Sequence, residues 1–282
     1  MAPLRHILLT ALAPLVWGST YIVTSEILPP DLPLTTAWLR VLPVGLLLIA
    51  WHRTLPHGLW WGRALVLGGL NIGLFQAALF LAAYRLPGGV AATLGAIQPL
   101  MIALLAWPLV GMKPRPLVLM AGLLGLAGIA ALVLKPAAVL DGIGVAAALA
   151  GAACMALGMT LCLRWRPPVS MLVFTSWQLV GGGILLLPAA LWLEPPLPAL
   201  SVVQMAAYGY LGLIGAGLTY YLWFLGLSRL APTTVSALGL LSPVSATLLG
   251  WGLAGQGLSS WQWGGVGLVL LAVWLAQKGA GR

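Results

Sequence analysis

The chain has 282 residues, of which 61% are hydrophobic and 6% are charged, and its formal net charge is +9. Soluble domains carry about 25% charged residues, so this composition excludes a soluble domain and predicts an integral membrane protein. A net positive charge of this size would suggest a nucleic-acid partner in a soluble protein. In a membrane protein the positions of the basic residues instead indicate how the chain is oriented, because cytoplasmic loops are enriched in Lys and Arg. We therefore expect the lipid bilayer, and no nucleic acid, as a partner.

Apolar stretches of about 20 residues, the length that crosses a hydrocarbon core of roughly 30 Å, recur from end to end. Pro, Gly and charged residues separate them. The pattern predicts an all-α integral membrane fold with ten transmembrane helices. The predicted spans are 4–25, 32–52, 61–84, 88–110, 116–134, 141–163, 169–192, 201–227, 232–254 and 260–278.

Ten crossings would place both termini on one face. The loops of that face hold ten of the thirteen basic residues: Arg5, Arg53, Arg63, Lys113, Arg115, Arg164, Arg166, Arg229, Lys278 and Arg282. The opposite loops hold Arg85 and Lys135 together with all four acids, Glu26, Asp31, Asp141 and Glu194. By the bias of basic residues towards the cytoplasm, both termini of this multi-pass protein are predicted to be cytoplasmic.

The stretch 81–111 returns without a gap as 225–255, at a constant offset of 144 residues. The identical pairs are Arg85/Arg229, Leu86/Leu230, Leu94/Leu238, Gly95/Gly239, Pro99/Pro243, Trp107/Trp251 and Gly111/Gly255. Because the copies lie five predicted crossings apart, the second enters the membrane from the other side. This predicts two inverted five-helix repeats, 1–138 and 139–282, a plan that recurs in secondary transporters.

Proline falls near the middle of each repeated apolar helix, at Pro99 and Pro243, and also in the first span, at Pro14. A mid-helix proline frees a backbone carbonyl, which in lipid needs a partner from a neighbouring helix or a wet cavity. We expect these positions to act as hinges or kinks beside a binding site. A kink without function is the alternative, since Pro is common in membrane helices.

Arg40 is the only Arg or Lys that lies away from the ends of a predicted span. A charge at mid-membrane costs at least about 2.5 kcal/mol, so Arg40 is expected to face a cavity or a partner, such as a substrate carboxylate or a gate. Snorkelling to the nearer interface is the alternative. In the first span Pro14, Trp17 and Tyr21 form one helical stripe, which indicates either a cavity wall or helix packing.

Further polar, aromatic and soft side chains lie within the spans. Each alone is more often structural than functional, because amides and hydroxyls also join membrane helices. Together they suit a neutral or zwitterionic solute with a flat apolar part. With Trp17, Tyr21 and Arg40, the candidate substrate-binding residues are Asn71, Phe75, Gln76, Gln98, Met155, Met159, Tyr220 and Ser242.

No Asp or Glu lies within a predicted span except Asp141, the first residue of the sixth, and His6, His52 and His57 all lie at the predicted cytoplasmic edge. A buried proton relay normally uses these residue types, so proton antiport is disfavoured and facilitated movement of substrate is predicted. The chain also lacks a metal-ligand spacing, a nucleophile with a base and a phosphate loop. We therefore expect neither an enzyme nor a cofactor.

In the sequence VWGSTY of the first span, the Arg40 helix and the paired segments AATLGAIQPL and VSALGLLSPVSATLLGW, the chain resembles the drug/metabolite transporter superfamily, EamA-type branch. Within it the chain is similar to bacterial YddG-type exporters of aromatic amino acids. The resemblance covers essentially the whole chain. It implies a basket of ten helices, a central cavity lined by helices one, three, four, six, eight and nine, and export from the cytoplasm.

One departure from the family pattern concerns the acid that many relatives carry after the fourth and ninth helices. Met112 and Gln256 take those positions here, so any role of that acid is not expected in this chain.

The reading favoured by residues and resemblance together is an alternating-access exporter of aromatic or other hydrophobic amino acids and related metabolites. The alternative is a multidrug or other small-metabolite exporter of the same superfamily, with proton coupling left open. A nucleotide-sugar carrier would need several cations for its phosphates, and a membrane enzyme or scaffold would not need an inverted repeat. The oligomeric state is left open, and a monomer is compatible with the sequence.

Overall fold

The computed structural model describes residues 4–85, 94–133, 141–254 and 259–280, and within these ranges the chain forms helices, turns and irregular segments without any strand. The helices are α1 (Leu4–Glu26), α2 (Pro33–His52), α3 (Trp60–Gly68), α4 (Leu74–Arg85), α5 (Gln98–Val110), α6 (Pro116–Val133), α7 (Gly142–Trp165), α8 (Met171–Leu193), α9 (Val202–Gly212), α10 (Thr219–Arg229), α11 (Pro232–Leu238), α12 (Leu241–Ala254) and α13 (Ser260–Ala280). Two π-helical segments, π1 (Gly69–Gly73) and π2 (Leu213–Leu218), join α3 to α4 and α9 to α10.

Seven helical segments in the described ranges are long and apolar enough to cross a membrane. Gln98–Val110 and Pro116–Leu132 are apolar but shorter. Helix α13 has 21 residues, but Gln262 and Gln277 near its ends lower its hydropathy. The helices agree with the predicted spans to within a few residues where both are described, whereas the count of ten crossings stays a prediction.

The helix surfaces that face outward are apolar and carry tryptophan at both ends of the bundle. We call the end where α1 begins and α13 ends the terminal face, and the other end the opposite face. Trp51, 86% exposed, lies near the terminal face, and Trp192, 84% exposed, lies near the opposite face. Tryptophan is enriched at both membrane–water interfaces, so the two groups are typical of a protein that spans the bilayer.

Carboxylates at the opposite face hold helix ends together. Glu194, after α8, accepts hydrogen bonds from the backbone N–H groups of Leu34 and Thr35 at 2.6 and 2.7 Å, at the start of α2. Asp141 accepts from the N–H of Gly144 at 2.7 Å and lies 3.8 Å from Arg85 Nη1. A carboxylate satisfies the free N–H groups at a helix N-terminus and complements the helix dipole.

The repeated apolar helices are broken before their prolines, not kinked at them. Turns at residues 96–97 and 239–240 precede α5 and α12. Backbone bonds that reach back three residues bridge the breaks, from Ile97 to Leu94 at 3.3 Å and from Ser242 to Gly239 at 3.1 Å. Pro99 and Pro243 therefore lie in the first turn of a new helix, where the missing N–H is not needed. Pro14, in contrast, lies inside the continuous helix α1.

The π segments also occur at matched positions of the sequence. π1 begins at Gly69 and π2 begins at Leu213, which is 144 residues later and so follows the offset of the repeat. π-helical turns inside α-helices are rare and are often found at functional sites. Each one has a side that faces the interior of the bundle, since Asn71 in π1 and Ala216 in π2 are fully buried, whereas Leu213 and Leu218 of π2 are 56% and 44% exposed.

Helices α3 and α8 cross at two glycines. A Cβ atom added to Gly68 would lie 2.6 Å from the Gln178 carbonyl oxygen and 2.7 Å from the Gly182 nitrogen. These are backbone atoms, which cannot swing aside as a side chain can. The backbones of α3 and α8 therefore approach closely because residue 68 has no side chain, a common way to pack helices in lipid.

Substitution of Gly68 by Ala is expected to force α3 and α8 apart and to lower the stability by about 1 to 3 kcal/mol, the range for overpacking. Gly62→Ala in the same helix is the matched control, because nothing lies within 4 Å of its added Cβ. The apparent unfolding temperature in detergent measures both. Equal unfolding temperatures for the two variants would contradict this account of the crossing.

Candidate functional site

The carbonyl of Gly215, in π2, accepts hydrogen bonds from three side chains. Arg40 Nη2 donates to this oxygen at 2.6 Å, Thr219 Oγ1 at 2.8 Å and Trp17 Nε1 at 3.2 Å. The Trp17 indole N–H also lies 2.9 Å from Thr219 Oγ1. Side chains of this kind insert where a helix departs from α geometry. The buried guanidinium of Arg40 thus joins α2 to the second half of the chain through a backbone dipole.

An aromatic chain leads from this carbonyl to the terminal face. Trp17 lies 5.4 Å from Tyr220 and 5.1 Å from Trp223, measured between ring centroids. Tyr220 stacks on Phe224 at 6.0 Å, and Phe224 meets Phe174 edge-on at 5.6 Å. These separations are within the range of favourable aromatic pairs. Except for the partly buried Trp17, these rings are at most 2% exposed, so they form a packed interior wall.

A second buried polar group lies in π1. Asn71 Nδ2 donates to Gln178 Oε1 of α8 at 2.6 Å and lies 3.5 Å from Cys162 Sγ of α7. Asn71 and Gln178 are both fully buried. The remaining polar atoms of this pair, Asn71 Oδ1 and Gln178 Nε2, have no hydrogen-bond partner among the described residues.

The other central candidates form two contacts. Gln76 Nε2 lies 3.5 Å from the Tyr220 hydroxyl, and Gln98 Nε2 lies 3.5 Å from Met159 Sδ. Phe75 and Gln98 also line a small cavity of about 40 Å³ between α4 and α7. Met155 and Met159 belong to the same buried core as Tyr220, so the structure gathers them with the aromatic wall.

A larger cavity of about 550 Å³ opens at the terminal face, and we call it the vestibule. Phe174, Phe224 and Leu227 are its most deeply buried lining residues, and Cys162 is also buried. Arg166 and Arg229 line its outer part, and Met112 also lines it. The vestibule therefore has an apolar inner wall and a basic mouth.

Among the predicted residues, Trp17, Arg40, Gln76 and Tyr220 come together around π2, whereas Asn71 lies with Gln178 at π1. Ser242 is half-buried in the first turn of α12, and its side chain makes no hydrogen bond within the described ranges. The side chain of Tyr21 and residue Gln256 lie outside the described part of the structure. No group of three His, Cys, Asp or Glu residues in the described ranges could hold a metal ion.

The candidate set from the sequence omitted several residues that the structure places at the interior. Gln178 is a lone amide in an apolar helix, and three consecutive glycines, Gly181–Gly183, follow it within about one turn. That combination could have marked it, since an amide in lipid needs a partner and glycines allow one to approach. Phe174 and Phe224 gave no such signal, because an apolar residue facing a cavity and one facing lipid look alike in sequence.

Comparison with known families settles the class of the protein. Residues 4–134 and residues 142–277 each match the model of the EamA-like transporter family. The chain belongs to this family. As an EamA-like chain with several membrane-crossing helices, it is a multi-pass membrane transporter.

Two curated relatives of this EamA-like transporter cover almost the whole chain. Protein PecM of Dickeya dadantii is 42% identical over 267 residues, which are 94% of this chain and 90% of PecM. The uncharacterized inner membrane transporter YedA of Escherichia coli K12 is 30% identical, over 94% of this chain and 88% of YedA. A crystal structure with 22% identity superposes with a TM-score of 0.79 over 99% of both chains, which shows a shared fold.

Substitution of Arg40 by Gln is expected to remove the charge-assisted bond to Gly215, because the shorter amide does not reach that carbonyl. The expected loss is about 1.5 to 3 kcal/mol of stability. Arg164→Gln, at an exposed position of α7, is the control and should change stability by less than about 0.5 kcal/mol. Thermal unfolding of the purified variants measures both. Unchanged stability together with lost transport would instead place Arg40 on the substrate.

Proposed function

We propose that this EamA-like transporter exports aromatic or other hydrophobic amino acids and related metabolites by alternating access, as a facilitator. The observation that carries the proposal is the interior itself. Aromatic rings run from the vestibule to Trp17 and lie beside buried amides. Rings of this kind stack on a flat apolar side chain, while amides bind a polar group that has no net charge.

The proposal includes two inverted five-helix repeats, 1–138 and 139–282, in a ten-helix basket. The matched π segments support it, because α3 and α4 run from the terminal face whereas α9 and α10 run towards it. The contact between Gln76 and Tyr220 supports it further. These residues are 144 positions apart, and equivalent residues of two copies meet only close to the axis that relates them.

We assign the terminal face, with both termini, to the cytoplasm of a bacterial inner membrane. The vestibule opens at this face, and Arg166 and Arg229 line its outer part. This fits entry of substrate from the cytoplasm, and the basic loops fit the usual charge bias. Small molecules are thus the expected partners, together with the lipid around the exposed apolar helix faces.

Facilitated movement is favoured over proton coupling because of where the acids lie. Glu194 caps α2, and Asp141 caps α7 beside Arg85, all at the opposite face. Proton relays in membranes normally use acids or histidines within the spans. A multidrug or other metabolite exporter that couples to protons is the alternative, and it would need a titratable group that moves between the two faces.

Transport by the purified protein in proteoliposomes tests this function. We expect saturable uptake of labelled L-tryptophan and L-phenylalanine that exceeds that of L-threonine. Uptake should be unchanged by an imposed pH gradient. Accumulation driven by the pH gradient alone would contradict the facilitator, and the absence of flux for every amino acid would contradict the substrate class.

Trp17→Ala is expected to reduce L-tryptophan flux by roughly three- to tenfold, the equivalent of one lost aromatic contact of about 0.5 to 1.5 kcal/mol. Trp192→Ala is the matched control, because Trp192 is 84% exposed near the opposite face and should leave the flux unchanged. Size-exclusion profiles confirm that both variants are folded. Equal L-tryptophan fluxes in the two variants would show that Trp17 contributes to packing and not to substrate binding.

A further inference from the structure

We propose that Asn71 and Gln178 bind the α-amino and α-carboxylate groups of the transported amino acid, with one hydrogen-bonding atom for each group. This proposal rests on the proposed function and deepens it, because it names the recognised head group. Asn71 Oδ1 would accept from the substrate ammonium, and Gln178 Nε2 would donate to the substrate carboxylate.

The pair is buried yet incompletely hydrogen-bonded. One bond of 2.6 Å joins Asn71 Nδ2 to Gln178 Oε1. The two outer atoms, an acceptor on Asn71 and a donor on Gln178, have no partner among the described residues. Native proteins rarely leave buried polar atoms without partners, and each such atom calls for an explanation. If the two amides were assigned the other way round, one donor and one acceptor would still be left over.

The matched π segment lacks this feature. Gly215 occupies in π2 the position that Asn71 occupies in π1, 144 residues earlier. Its carbonyl accepts from Arg40, Trp17 and Thr219, so the protein itself supplies the donors. Of the two equivalent π segments, π2 has its carbonyl bonded by side chains of the protein, whereas the amide pair at π1 has two polar atoms without a partner among the described residues. π1 is therefore the one suited to a ligand.

The pair lies directly behind the wall of the vestibule. Cys162 lines the vestibule, and its Sγ lies 3.5 Å from Asn71 Nδ2. Phe174, which also lines the vestibule, precedes Gln178 by one helical turn on α8. A substrate that passes Cys162 would place its polar head at the amides and its ring against Phe174 and Phe224.

The chemistry of the pair selects the class of head group. Two neutral amides offer no net charge, so they do not compensate a buried phosphate or a lone cation. A zwitterion carries a donor group and an acceptor group side by side and has no net charge. Asn71 Oδ1 also packs against Gly158, where any added side chain would collide with it, so the position of this oxygen depends on a glycine.

Competition by two analogues of L-tryptophan tests each half of the pair. Tryptamine lacks the carboxylate, and indole-3-propionate lacks the ammonium group. We expect Gln178→Met to lower the apparent affinity for L-tryptophan about tenfold or more and to leave the apparent affinity for tryptamine almost unchanged. The reason is that a hydrogen bond to a charged group is lost only for L-tryptophan. Asn71→Leu should lower the apparent affinity for L-tryptophan by a similar factor and leave the apparent affinity for indole-3-propionate almost unchanged.

The control variant is Gln262→Met, which removes an amide that joins α13 to the Leu132 carbonyl at 3.1 Å, away from the vestibule. It should keep the wild-type preference for L-tryptophan over both analogues. If wild-type protein transports L-tryptophan but the two site variants keep that preference, the pair is structural and this proposal fails alone. If wild-type protein transports none of the three compounds, the proposed function fails with it.

Labelling of Cys162 gives a second readout that does not depend on flux. In a Cys154→Ala background, L-tryptophan should slow modification of Cys162 by methyl methanethiosulfonate. In Asn71→Leu the same protection should require about tenfold more L-tryptophan. Unprotected labelling in a preparation that transports L-tryptophan would place the head-group site elsewhere, and this result would overturn the proposal even if a variant were poorly folded.

Discussion

The carbonyl of Gly215 is the point on which the interior of this transporter depends. Three donors from α1, α2 and α10 meet there, at 2.6 to 3.2 Å. In lipid a backbone carbonyl that leaves the regular helical ladder needs a partner from the protein. The hydrogen bond to Gly215 also gives the charged Arg40 side chain a polar partner at a depth where a charge is costly. Each group thus supplies a partner to the other, which couples the π segment to the arginine.

Around this point the bundle follows one general rule, which is that irregular backbone packs at least one side against other helices. The π segments and the two helix breaks do so, although Leu213 and Leu218 of π2 are also exposed. Pro99 and Pro243 illustrate the rule, because each begins a helix segment after a break instead of bending a continuous one. The packing of Gly68 against α8 brings backbones close enough for the buried amides to meet. Polar and irregular features are therefore concentrated where substrate would pass.

Much of the fold could be predicted from the sequence. Apolar windows bounded by Pro, Gly and charge located the helices, because crossing lipid imposes both length and composition. Gln76 and Tyr220, which the structure brings into contact, are also 144 residues apart, although both lie outside the repeated stretch found in the sequence. The π segments could not be predicted, since no local preference distinguishes one extra residue in a helical turn. Gln178 as the partner of Asn71 could not be predicted either, because that pairing depends on how α3 and α8 cross. Arg40 was recognised as unusual, but its partner is a backbone atom, which a sequence cannot indicate.

The two bonds that Glu194 accepts at the start of α2 have a mechanical consequence. Helix α2 comes from the first half of the chain and α8 from the second, yet the carboxylate ties the end of one to the beginning of the other. Glycines along α2 and α8 add close contacts, as Gly183 does against Leu42. Helices α2 and α8, joined in this way, are expected to move together as one rigid body. The parts that would move relative to each other during a transport cycle would then each contain helices from both segments that match the EamA-like family, and the boundary between the moving parts would cross the boundary between those segments.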